Sequence, residues 1–120
     1  MLTLAVYKVS LSFPREEMFG LTGQMGRASV SIGSNLAEGC CRASHADFAR
    51  FAQIALGSAS ELEYQLLLAR DLKMLSDADL QPLTDSVERT KRMLTALVKT
   101  LRKAAQFLFG CPLSEGVGIG

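Results

Sequence analysis

The chain has 120 residues, 48% of them hydrophobic, and a formal net charge of +1. That length supports one domain with a single core, and the near-neutral charge excludes a general polyanion binder. Trp is absent and aromatics make up 7%, so the core has to be built from Leu, Ala, Met and Val, the profile of a helix bundle.

In chain order, four helices are predicted. The first is short, about Leu2 to Leu11. Ser12-Phe13-Pro14 breaks it, and Pro14 suits the first turn of the next helix, with Glu16 and Glu17 near its positive end. The second helix is expected from about Arg15 to Glu38, with Gly39 as its C-terminal glycine. Ser44 caps the third helix, with Asp47 three residues on, a variant of the capping box. That helix continues to about Leu72. Ser76 with Asp79 repeats the device for the fourth, which runs to about Leu108. Pro82 falls inside it and should kink or loosen its first turns. Connections this short make neighbours antiparallel. The expected fold is all-α, an antiparallel up-and-down four-helix bundle with a short first helix. It occupies residues 1–109. Residues 110–120 carry four glycines without periodicity and are expected to form a mobile C-terminal tail.

Gln24, Arg27, Ser31, Asn35, Glu38 and Arg42 are spaced by 3, 4, 4, 3 and 4 residues, which stacks them in one line along the second helix. Beside them runs an apolar line that includes Met25, Ala28, Ile32 and Leu36. The third helix carries a matching polar line of Asp47, Arg50, Ser58, Glu61 and Gln65, interrupted by Ile54. Folding the two helices back on each other pairs residues whose numbers sum to about 88 or 89. Arg42 then meets Asp47, Glu38 meets Arg50, Asn35 meets Ile54, Ser31 meets Ser58, Arg27 meets Glu61 and Gln24 meets Gln65. Such a seam sets register more than it stabilises. Removing one partner of a buried ion pair costs about 3–5 kcal/mol because the other charge is left uncompensated. The seam is either such a register-setting network or a surface that touches a ligand or partner. Gly23, Gly26 and Gly33 on the second helix and Gly57 on the third, each costing about 1 kcal/mol relative to alanine, suggest close packing within the bundle or between subunits.

From Arg89 to Lys103 there are six basic residues and no acidic one. Arg89, Lys91, Arg92, Lys99, Arg102 and Lys103 fill one arc of the fourth helix. Leu94, Leu97, Leu101, Ala104 and Leu108 fill the opposite arc. A solvated amphipathic face accounts for this, and phosphate-backbone binding is the alternative. Aromatic stacking platforms are missing from the arc, so any binding would be sequence-tolerant.

Other chemistry is thinly supported. An odd count of three cysteines makes no closed disulfide framework. Cys40, Cys41 and His45 lack the spacing of ordinary zinc motifs. No Glu-x-x-His pair is present, so a di-iron carboxylate bundle is excluded. Ser29, Ser31 and Ser34 have no nearby base, and no phosphate-binding glycine loop occurs. The expectation is a non-enzyme with no cofactor, no metal and no small-molecule substrate. No apolar run reaches the roughly 20 residues of a membrane span, and Met1 to Phe13 lacks the pattern of a signal peptide. A cytoplasmic location without membrane contact is expected.

Several of these residues fall into a longer pattern: Phe13-Pro14-x-x-Glu17, Gly20-Leu21-x-x-Gln24, Arg27-Ala28-x-x-Ser31-Ile32-x-x-Asn35-Leu36-Ala37-Glu38-Gly39 and Arg42. Phe48, Phe51, Ala55, Gly57-Ser58-x-x-Glu61-Leu62 and Leu66 follow in order. Over residues 6 to about 105 the chain resembles the bacterial four-helix-bundle family known as 23S rRNA intervening-sequence proteins. Gly33 stands where that family usually has proline, and the first helix looks shorter. The resemblance implies a homopentamer of four-helix bundles whose biochemical activity is not established. It also implies kinship in fold with the accessory variability protein of diversity-generating retroelements, a positively charged pentameric barrel that binds nucleic acid. In a ring of five the basic arc would gather about thirty positive charges. Two functions are therefore expected of such a chain: an oligomeric scaffold or interaction module, or an accessory protein that binds RNA or DNA backbones.

Overall fold

The computed structural model describes residues 2–11 and 20–109, with side chains as far as Gln106. Four helices account for nearly all of them: α1 Leu2–Ser10, α2 Leu21–Cys40, α3 His45–Asp71 and α4 Asp77–Phe109. There is no strand among the described residues. The bundle is elongated, 53 × 22 × 21 Å, because α3 and α4 run nearly its full length.

α3 is the central helix and packs against both α2 and α4. Its buried line is Ala52, Ala55, Ala59, Leu62, Leu66 and Ala69, spaced 3, 4, 3, 4 and 3. Four of the six are alanines, so neighbouring helices can approach closely. From α4 come Leu80, Leu83, Val87, Leu94, Val98 and Leu101. The skipped step near residue 90 is filled by Thr90, whose hydroxyl donates back to the Ser86 carbonyl at 2.9 Å. α2 contributes Met25, Ala28 and Ile32.

α1 closes only one end. Val6 is fully buried, and Leu2, Ala5 and Val9 pack around it. The Thr3 hydroxyl donates to the Ser29 carbonyl at 3.2 Å. The Tyr7 ring lies where a Cβ on Gly26 would come within 3.1 Å of its hydroxyl. The first half of α2 is thus covered by α1, and the second half continues without it.

Both predicted caps form. Ser44 Oγ accepts from the Asp47 amide at 3.0 Å, and Ser76 Oγ from the Asp79 amide at 3.1 Å. α4 is one unbroken helix across Pro82. α2 begins at Leu21, after a non-helical Gly20, and so does not run unbroken from about Arg15 as expected; Pro14, Glu16 and Glu17 lie outside the described residues, as do Cys111 and the rest of residues 110–120.

One expectation about a glycine needs correction. Gly39 does not end α2. It is buried inside the helix, which runs on to Cys40. A Cβ there would meet Phe48 Cδ1 at 2.7 Å and Phe51 Cβ at 3.0 Å, so the glycine makes room for α3's aromatics. Gly33 and Gly57, expected at close packing within the bundle or between subunits, make no such contact within it, since a Cβ on either would have nothing within 4 Å. Among the described residues they face open space.

Candidate functional site

The α2–α3 seam has the expected register at its centre. Ser31 Oγ and Ser58 Oγ are 2.8 Å apart. Asn35 Nδ2 donates to the Ser31 carbonyl at 2.8 Å and to Ser31 Oγ at 3.0 Å. Three half-buried side chains thus tie α2 to α3 through one hydroxyl pair.

Away from the centre, the cross-helix ion pairs do not form. Glu38 pairs with Arg42 at 2.9 Å and Asp47 with Arg50 at 3.6 Å, each pair only three or four residues apart in the chain. Both guanidiniums lie 4.7 Å from the centroid of the Phe51 ring. Phe51 is the residue that the seam prediction missed. A local pair beside a cation–π contact orders fewer side chains across the helix gap than Arg42–Asp47 and Glu38–Arg50 would.

Arg27 and Glu61 border one shallow depression with Gln24, Ser31 and Ser58. They make no ion pair among the described residues, and both are exposed. Gln24 points to solvent, whereas Gln65 is only 4% exposed and its Oε1 has no partner among the described residues. Ile54, opposite Asn35 by register, is 43% exposed. The seam is therefore a half-open edge between two helices and not a buried charge network. The cost of uncovering a buried charge does not apply to it.

The basic arc of α4 divides in two. Lys91 turns toward α3 and pairs with Glu63 at 2.8 Å, both about 30% exposed (31% and 29%). Arg102 also reaches α3, donating to Gln53 Oε1 at 3.5 Å. Arg89 donates to Ser86 Oγ at 3.3 Å. Arg92, Lys99 and Lys103 are exposed and have no partner among the described residues. Arg92 and Lys99 line a shallow groove with Glu63 and Glu88, so acidic groups interrupt the field. A wheel drawn on α4 alone could not show this, because Glu63 belongs to another helix.

Cys40 and Cys41 are exposed free thiols, and His45 is exposed. Among the described residues no group of three His, Cys, Asp or Glu side chains could hold a metal ion. None of their helices is long and apolar enough to cross a membrane.

The four-helix fold agrees with an independent comparison. The family model for the 23S rRNA-intervening sequence protein matches residues 1–96. The chain belongs to that family. A solved structure of another protein of unknown function, from the S23 ribosomal protein family of Bacteroides thetaiotaomicron, has the same fold. It superposes with a TM-score of 0.68 at 21% identity, covering 82% of this intervening-sequence protein and 99% of that chain. No curated protein matches.

Proposed function

We propose that this intervening-sequence protein is a non-enzymatic protomer of a homo-oligomeric ring, a pentamer as the family resemblance implies, that serves as a scaffold or interaction module. One observation carries the reading. α1 and α3 each pack on α2 and α4, so they lie diagonally across the bundle. On and just after α1, Leu4, Tyr7 and Leu11 are 67%, 50% and 86% exposed. On and just after α3, Tyr64, Leu67 and Leu72 are 65%, 41% and 54% exposed. Two unlike apolar patches on diagonal helices suit a heterologous contact, in which one patch meets the other on the next copy. Such contacts close into rings when the rotation allows. The open faces of Gly33 and Gly57 offer further room for a neighbouring helix. The exposed thiols of Cys40 and Cys41 fit a reducing, cytoplasmic compartment.

Light scattering at micromolar concentration tests the ring. A monomeric wild-type protein would overturn it. Leu4→Arg and Tyr64→Arg, each at an exposed site, should give monomers with unchanged helix content.

The unpartnered Arg92, Lys99 and Lys103 favour a second reading, sequence-tolerant binding of RNA or DNA backbones. Such binding should be strongest at ~50 mM salt and weaken steeply as salt rises. Titration with structured RNA and duplex DNA at that salt decides it, since no binding there ends this reading. If binding occurs, reversing the three side chains to glutamate should abolish it.

A further inference from the structure

The outer line of α4 has an order that neither reading uses. It faces away from the core and is exposed from Gln81 to Gln106. Its first half carries Asp85 and Glu88, its second half Lys99 and Lys103, and Ala96 lies near the middle. We propose that this face pairs with the same face of a second copy, α4 antiparallel to α4, through charges that are complementary about a two-fold axis.

The register follows from the charges. Antiparallel pairing at a residue sum of 187 or 188 sets Asp85 against Lys103 and Glu88 against Lys99. It sets Gln81 against Gln106, and Arg92 against Ala96, the small side chain at the centre. Because the contact is isologous, each pair occurs twice. On this line every charge opposes one of opposite sign or a neutral residue; Arg89, at its edge, falls against Val98 or Lys99. The alternatives are penalised. A slip to a sum of 184 puts Arg92 directly against Arg92 of the other copy, and a slip to 191 puts Arg92 against Lys99. Like charges brought together in this way select against the wrong register. Acid early and base late also suits the dipole of a single helix. That effect falls off within the first and last turns, however, whereas Asp85, Glu88 and Lys99 lie well inside this helix of 33 residues.

The contact is polar, so it is weak and salt-sensitive. It uses none of the apolar patches assigned to the ring, and in a ring it would join one assembly to another. Zero-length carbodiimide cross-linking of nuclease-treated protein should join Glu88 of one copy to Lys99 of another, identified by mass spectrometry on mixed light and heavy chains. The yield should fall at least tenfold between ~50 mM and ~500 mM salt, as screening shortens the reach of the charges. D85K/E88K and K99E/K103E should each lose pairing when alone. Mixed together they should regain it, because every reversed charge then meets a reversed partner. Ala96→Arg should block pairing with the charges intact. Pairing that survives in either reversed variant alone, or that fails to return on mixing, overturns the proposal. D85K/E88K separates the three ideas. It should lose this contact, keep the ring built on α1 and α3, and bind polyanions more tightly if the nucleic-acid reading holds.

Discussion

At the residue scale, the glycines separate into those that are needed and those that are not. Gly39 sits under the Phe48 ring and the Phe51 Cβ, the latter 3.0 Å from where its own Cβ would be. A Cβ atom on the facing helix cannot swing aside as a side-chain tip can. Gly39→Ala should therefore cost about 1–3 kcal/mol, the usual penalty of overpacking, read from urea unfolding. Gly33 and Gly57 meet nothing within 4 Å. Alanine there should stabilise the isolated bundle by up to about 1 kcal/mol each through helix propensity. The clean background for that measurement is the monomeric Leu4→Arg variant. Lys73 is a second backbone site. It has φ 64°, the left-handed region. It follows α3 as the C′ residue of a Schellman motif, with the Met74 amide bonded to the Ala69 carbonyl at 2.9 Å. Its side chain is exposed and bonds to nothing among the described residues. Lys73→Gly should stabilise by about 1 kcal/mol, since glycine takes that conformation without strain. An unchanged or lowered denaturation midpoint would refute this.

At the element scale, the seam shows what one sequence could and could not reveal. Helix number, order and both serine caps were legible, because periodicity and capping are local. The Ser31–Ser58 contact was legible too, since pairing by a constant sum needs only antiparallel geometry. The charged pairs were not. Glu38 and Arg50 each had a suitable partner within one turn and another across the gap, and the sequence holds no distance with which to choose. The pairing of Lys91 within the basic arc was hidden for the same reason, because its partner Glu63 is on α3. Gly39 was assigned to a terminus on a statistical preference, while its position depends on Phe48 and Phe51. These differences have a measurable consequence. Ser31→Ala and Ser58→Ala should show coupling in a double-mutant cycle, about 0.5 kcal/mol or more. Arg27→Ala and Glu61→Ala should be additive within about 0.3–0.5 kcal/mol, as for residues that share no contact. Coupling between Arg27 and Glu61 in the monomer would show that they meet after all.

At the scale of the whole molecule, the bundle is unevenly finished. α3 is packed on two sides, α1 covers only part of α2, and large apolar side chains remain exposed on both diagonal helices. An isolated chain of this kind keeps apolar area in water that a second copy would remove, at about 25 cal/mol per Å². If the assembly binds only folded protomers, association stabilises the fold by mass action. Thermal stability should then depend on protein concentration. Tenfold dilution should lower Tm by roughly a few degrees. Tyr64→Arg removes one patch without touching the core, so its Tm should be lower than wild type and independent of concentration. A wild-type Tm that stays constant over two decades of dilution, alongside monomeric scattering, would mean that these side chains are exposed for another partner. A concentration-dependent Tm that persists in Tyr64→Arg but vanishes in K99E/K103E would instead locate the dominant contact on α4.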